Sequence, residues 1–165
     1  KSSGGRMNSM KTDTEKGGKR LSCNVPMRWG DMDAYGHINN VEILRILEEA
    51  RIRAFGNWFH ASGSERMMRS GVLLARQEIE FLGQLAYRPE PVSVSMWITR
   101  IGGASWEMAY DIGDPDPGST TVYARAESTL VAFDMTAQRP RKLAADERAA
   151  LTAYLGEPAA MRRRR

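Results

Sequence analysis

Cysteine is nearly absent from this sequence, histidine is scarce, and no long apolar run occurs. The single cysteine, Cys23, rules out an internal disulfide, and no neighbouring cysteine or histidine gives it a metal-ligand spacing. Cys23 therefore reads as an inert strand residue. Nowhere do apolar residues approach the roughly 20 in succession that span a bilayer. The first residues carry charge, Gly and Ser where a signal peptide would carry its apolar stretch. A soluble, cytoplasmic protein is the expectation.

What is present is enough for one packed domain. The chain has 165 residues, 42% of them apolar, with four Trp, four Phe and five Tyr. The net charge of +4 is misleading, because it resides at the ends. Residues 1–20 hold six basic side chains against two acidic ones and residues 162–165 are all Arg, which leaves 14 basic and 18 acidic residues between them. A mildly acidic body without a basic, aromatic-studded face argues against a nucleic-acid partner.

Residues 1–20, rich in Gly, Ser and Lys, read as a disordered tail, the part before Met7 resembling the remnant of an expression tag. The domain is expected over 21–157, and 158–165 as a solvated basic tail. Within the domain, 21–29 reads as a strand and 30–40 as a loop. Over 41–55, Ile43, Leu44, Ile46, Leu47, Ala50 and Ala54 recur at helical spacing. Arg45 with Glu49, and Glu49 with Arg53, are opposite charges four apart on the other side, and Asn40 is the expected N-cap. Further strands are expected over 72–82, 92–99, 105–112 and 120–134, with a turn at Gly102-Gly103, a second turn over 113–118, and a closing helix over 145–155. One strand, one apolar helix and four antiparallel strands make an α+β order in which a curved five-stranded sheet wraps the helix.

Chemistry-bearing groups concentrate in Asp31-Met32-Asp33-Ala34-Tyr35-Gly36-His37-Ile38-Asn39-Asn40, just before that helix. A helix start offers unpaired N–H groups and partial positive charge, a place for the oxygen that becomes negative when a carbonyl is attacked. Asp33 could then attack the carbonyl or activate a water. Asp and Asn in such a place also serve as plain caps and turn formers, so spacing alone leaves both readings open.

The stretch Arg28-Trp29-Gly30-Asp31-Met32-Asp33-Ala34-Tyr35-Gly36-His37-Ile38-Asn39-Asn40, with Leu44-Arg45 and Glu48-Glu49-Ala50-Arg51, resembles the 4-hydroxybenzoyl-CoA thioesterase branch of the hotdog enzymes. That branch includes the bacterial acyl-CoA thioesterases of the Tol-Pal cluster. The resemblance extends over 21–155 and includes Glu78-Ile79-Glu80-Phe81-Leu82, Arg100-Ile101-Gly102-Gly103-Ala104-Ser105 and Arg139-Pro140-Arg141-Lys142-Leu143. It implies a hotdog fold and hydrolysis of an acyl-CoA or acyl-carrier-protein thioester without metal or other cofactor. Asp33 stands at the catalytic aspartate, and the backbone N–H of Asn40 at the carbonyl-polarising donor. His37 is the third catalytic candidate: with Asn39-Asn40 it resembles the pattern of plant acyl-carrier-protein thioesterases, whereas the bacterial enzymes often have His where this chain has Asn40. Gly36, Asn39, Val41 and Arg100 are the candidate substrate contacts. The CoA-phosphate cluster of the hydroxybenzoyl enzyme falls on the uncharged Gly102, Gly103 and Ala104, with Arg100, Arg141 or Lys142 as replacements. A homodimer or homotetramer is implied.

Two other readings compete. A hotdog enoyl-CoA hydratase or dehydratase carries Asp and His five apart around an Asn-Pro, but Asp33 and His37 are four apart, Asp31 and His37 six, and no Pro intervenes. A non-catalytic acyl-CoA-binding hotdog module is the reading from a different class.

Overall fold

Two-residue alternation builds the sheet. In strand Val92–Ile101, Val92, Val94, Met96 and Ile98 are fully buried on one face, with Ser93 and Ser95 on the other. Its partner Ser105–Gly113 buries Trp106, Met108, Tyr110 and Ile112 toward the same side. The computed structural model describes residues 10–15, 18–61 and 66–162. The strands are β1 (Met10–Glu15), β2 (Gly18–Val25), β3 (Val72–Phe81), β4 (Val92–Ile101), β5 (Ser105–Gly113), β6 (Val122–Asp134) and β7 (Arg139–Pro140), and the helices α1 (Asn40–Ala61), α2 (Arg66–Ser70) and α3 (Ala145–Thr152). The antiparallel sheet runs β1-β2-β4-β5-β6-β3, with β7 paired to the end of β6.

All five expected strands are present, and the sheet has two more. The larger correction is β1, which falls within the stretch expected to be disordered. Met10–Glu15 pairs antiparallel with β2 from Met10 opposite Cys23 to Glu15 opposite Gly18, and Met10 packs against the core. Composition missed this strand because a polar segment can be held by a backbone ladder alone when a sheet edge is available to receive it. Residues 1–9 and 16–17 of the expected tail lie outside the described residues. The basic stretch at the other end is also not a free tail as far as Arg162. Gly156 N–H donates to Ile98 O (2.8 Å), Trp97 Nε1 to Glu157 O (2.7 Å), Arg125 Nη1 to Ala160 O (3.2 Å) and Arg162 N–H to Glu80 Oε1 (2.7 Å). This arm bonds residues of β4, β6 and β3, and the outward-facing Trp97 is covered where it passes; Arg163–Arg165 lie outside the described residues.

α1 has 22 residues, longer than expected, and buries Ile43, Ile46, Leu47, Ala50, Ala54, Phe55, Trp58 and Phe59 in the concave face of the sheet. Its outward face carries the anticipated pairs: Arg45 Nη1 with Glu49 at 3.1 Å, and Arg53 with Glu49. Cys23 lies buried in β2. Burial pushes its thiol up to about 11 despite the lowering influence of Arg53, so it is a poor nucleophile.

Candidate active site

The loop before α1 is organised by backbone hydrogen bonds that make it a small closed turn. Asp33 N–H donates to His37 O (2.7 Å), Gly36 N–H to Asp33 O (3.2 Å), and Asn39 N–H to Asp31 O (2.8 Å). Gly36 sits at φ +80°, a conformation that a side chain at this position would strain. Ile38 N–H donates to Leu85 O (2.7 Å), which ties the loop to the segment that follows β3.

The two carboxylates of the loop have different surroundings. Asp31 is 4% exposed, and its Oδ2 accepts from Arg28 N–H (2.7 Å) and Arg45 Nη2 (2.6 Å). Asp33 is half-buried. Its Oδ1 accepts from Tyr35 N–H (2.8 Å) and His37 N–H (3.1 Å), while Oδ2 has no partner among the described residues. The carboxylate is thus held in one orientation with one oxygen left to act.

The helix cap is shifted by one residue from the expectation. Asn39, not Asn40, is the N-cap, since its Oδ1 accepts from Val41 N–H (3.1 Å) and its carbonyl from Glu42 N–H (2.9 Å) and Ile43 N–H (3.1 Å). Asn40 is then the first residue of α1, and its N–H, one of the donors a helix start leaves over, has no acceptor among the described residues. The cap reads one residue late from sequence because either Asn of the pair can serve.

Asp33, His37 and Asn40 line one cleft of about 650 Å³, together with Tyr35, Ile38, Ile43, Phe81, Leu82, Gln84, Leu85 and Tyr123. Gly36, Asn39 and Val41, expected as substrate contacts, are not among the residues that line it; Val41 is exposed and its N–H is taken by the cap. Arg100 is elsewhere. It lies near the far end of β4, opposite Glu107, with a 74% exposed side chain whose Nη1 is 3.3 Å from Glu107 Oε1. Arg141 is likewise committed, by paired contacts of 2.8 and 2.7 Å to the buried Glu147.

The apolar wall and Tyr123 are what sequence reasoning missed. Phe81 and Leu82 fall at the end of the strand expected over 72–82, and Tyr123 falls within the one expected over 120–134. Tyr123 is fixed from a distance: its hydroxyl donates to Asp114 Oδ1 (2.9 Å) and accepts from Arg88 Nη1 (3.1 Å), and Ser119 Oγ donates to Asp114 Oδ2 (3.0 Å). Burial raises the Asp114 carboxyl, but the Tyr123 and Ser119 hydrogen bonds and the Arg88 cation outweigh it and hold the group below the usual carboxylate range.

The thioesterase-like superfamily model matches residues 27–151, which takes in the whole cleft. The chain belongs to that superfamily. Among solved structures, a predicted thioesterase from Bacillus stearothermophilus superposes with a TM-score of 0.72 at 26% identity, covering 84% of this chain and 98% of its own. A thioesterase from Thermus thermophilus, solved with coenzyme A and zinc, gives 0.63 at 25%, covering 83% and 95%. A 1,4-dihydroxy-2-naphthoyl-CoA thioesterase from Synechocystis gives 0.63 at 17%, covering 81% and 96%, a likeness of fold alone. No curated protein matches the sequence. These neighbours share the α+β hotdog architecture: a curved antiparallel sheet around one long helix. Among the described residues no group of three or more His, Cys, Asp or Glu could hold a metal ion, and no helix is long and apolar enough to cross a membrane.

Proposed function

We propose that this chain hydrolyses an acyl-CoA thioester, with Asp33 as the reacting carboxylate. One observation carries the reading: the unpartnered Asp33 Oδ2 and the unclaimed Asn40 N–H belong to residues that line the same cleft, whose remaining wall is largely apolar. The acyl carbon would lie between them. Asn40 N–H and the positive end of α1 stabilise the oxyanion, and Asp33 either attacks the carbonyl or takes a proton from an attacking water. The new bond joins carbon to oxygen, the carbon–sulfur bond breaks, and the thiolate leaves with a proton. The carboxylate attack would pass through an anhydride that water then opens, whereas the water route is direct; the net reaction is the same. His37 contributes its backbone N–H to the orientation of Asp33. Coenzyme A in the Thermus neighbour supports CoA as the thiol. The open β3 edge, with Leu73 and Leu74 exposed along it and Phe81 at its end, supports a second copy pairing there, so the working unit is a homodimer or a multiple of one.

The test is a panel of acyl-CoAs read with a thiol reagent, on the parent chain and on Asp33→Asn. Hydrolysis lost in Asp33→Asn with the fold intact is the expected result. A panel without any turnover would sink the reading.

A further inference from the structure

A second cavity lies on the same seam as the cleft. The cleft is walled by Ile43 of α1, Phe81 of β3 and Ala124 of β6; the second cavity, about 310 Å³, is walled by Arg51 and Phe55 of α1, Val72 and Leu74 of β3, and Leu130 of β6. The same three elements thus line both, further along each. Between and beside the cavities the concave face carries polar groups that the fold does not satisfy. Arg51 is 6% exposed, and its only partner among the described residues is the Tyr110 hydroxyl, which accepts from Nη1 at 3.3 Å. Glu48 stands exposed on the rim of the same cavity and makes no ion pair with it. Tyr110 and Ser128 are completely buried, and Ser128 Oγ, although it lies beside the Tyr110 hydroxyl, has no well-formed hydrogen bond among the described residues. Gln77, directly opposite Ser128 in the β3–β6 register and so on the same face, has a buried Nε2 with none either. A buried guanidinium without a carboxylate is costly, as is each buried polar atom left unpaired. Of these groups Arg51 is the one that lines the second cavity, and an anionic group there would answer it, because a carboxylate accepts from a guanidinium in two places.

We propose that the acyl group carries a carboxylate at its far end, read by Arg51 in the second cavity. This rests on the thioesterase reading of the cleft. Arg51 lies eleven residues beyond Asn40, about 16 Å along the helix axis, and its side chain leans back toward the helix start. An extended acyl chain of about ten carbons spans what remains. The apolar residues along the seam, among them Ile43 and the partly buried Ile79, suit the methylenes between.

The experiment compares decanoyl-CoA with the mono-CoA thioester of decanedioic acid, equal in length and differing only in the terminal group. The parent chain should favour the carboxylate by about tenfold or more in kcat/KM, since a site built around a charged hydrogen-bonding group penalises its absence. Arg51→Gln should abolish that preference, and Arg51→Lys should retain part of it. A second readout needs no turnover: free decanedioate should raise the melting temperature of the parent chain and not that of Arg51→Gln. Preference for the methyl-ended substrate, or an Arg51→Gln variant that slows both substrates equally, would overturn the proposal. So would Arg51→Gln dissociating the particle in light scattering, which would assign Arg51 to a contact between copies. The two readings fail separately: a decanedioate shift without hydrolysis of any acyl-CoA removes the hydrolase and leaves the carboxylate site, and hydrolysis without the preference does the reverse.

Discussion

Asp31 and Asp33 stand two residues apart in one loop and are hydrogen-bonded in different ways. The Asp31 side of the loop is closed. Its carboxylate is buried, accepts from Arg28 N–H and Arg45 Nη2, and its carbonyl accepts from Asn39 N–H, so it joins the 3₁₀ turn Trp29–Asp31 to α1. The Asp33 side is half open, with one oxygen fixed by two backbone donors and the other without a partner among the described residues. A carboxylate whose partners are all within the fold builds structure, and one fixed but left unfinished toward a cleft is available for chemistry. The difference lies in hydrogen bonds rather than in residue type.

The sharpest way to break that contrast is to exchange the charge for an amide at each position. Asp33→Asn keeps an oxygen for the Tyr35 and His37 donors and so keeps the turn, but it offers neither nucleophile nor base. Turnover should fall by about a hundredfold or more, measured in single-turnover hydrolysis, with circular dichroism unchanged. Asp31→Asn should show the opposite balance. It loses a buried charge beside Arg45, but Arg45 keeps Glu42 (2.6 Å) and Glu49 (3.1 Å), so the cost in unfolding free energy should be about 1–2 kcal/mol rather than that of an orphaned ion. Turnover should stay within about tenfold of the parent chain, a loss of orientation rather than of chemistry. An inactive Asp31→Asn beside an active Asp33→Asn would reverse the roles.

A smaller effect is expected at the helix start, where the two sides of the loop meet. Asn39→Ala removes the acceptor of Val41 N–H and should cost about 1 kcal/mol in urea unfolding, and Asn39→Asp should restore it. If Asn40 N–H is the oxyanion donor, kcat should fall with the cap while KM changes little. Equal changes in both would point to substrate binding instead.

How far the sequence led differs between these regions. Alternation in β4 and β5 and the apolar spacing of α1 are local signals, so these strands, the helix and the loop that holds Asp33 are legible in the sequence itself. The resemblance to the thioesterase branch rested on that same loop. β1 was not readable, because Lys11, Thr12 and Asp13 hold their places by pairing with β2 rather than by burying side chains. Nor was the misplacement of Arg100, whose distance from the cleft depends on the β4–β5 register and not on its neighbours in sequence. Tyr123 depends on Arg88, 35 residues away, and Arg51 on Tyr110, 59 residues away. Long-range side-chain pairs leave no period in the chain.

The smallest predicted effect extends the comparison to a third carboxylate, Asp114, which resembles Asp31 in being occupied: Arg88, Ser119 and Tyr123 all bond it. Its folded-state pKa is depressed, so folding favours the ionised form. The stability this contributes is fully present above the unfolded value, about 3.9 for an ordinary aspartate, and is lost as pH falls through the lower folded value. Asp114→Asn cannot contribute it at any pH. The difference in unfolding free energy between the parent chain and Asp114→Asn should therefore be constant from about pH 5 to 8 and should shrink below about pH 4, as the parent loses what the variant never had. Its side chain is 26% exposed, so solvent screens the pair and the plateau should be only about 0.5–1 kcal/mol. Urea unfolding of both proteins at several pH values gives the difference directly, and groups common to both cancel. A difference that grew toward low pH would mean that Asp114 is held protonated in the fold. The Arg88–Asp114–Tyr123 contact would then need another account, and with it the placing of Tyr123 on the cleft wall.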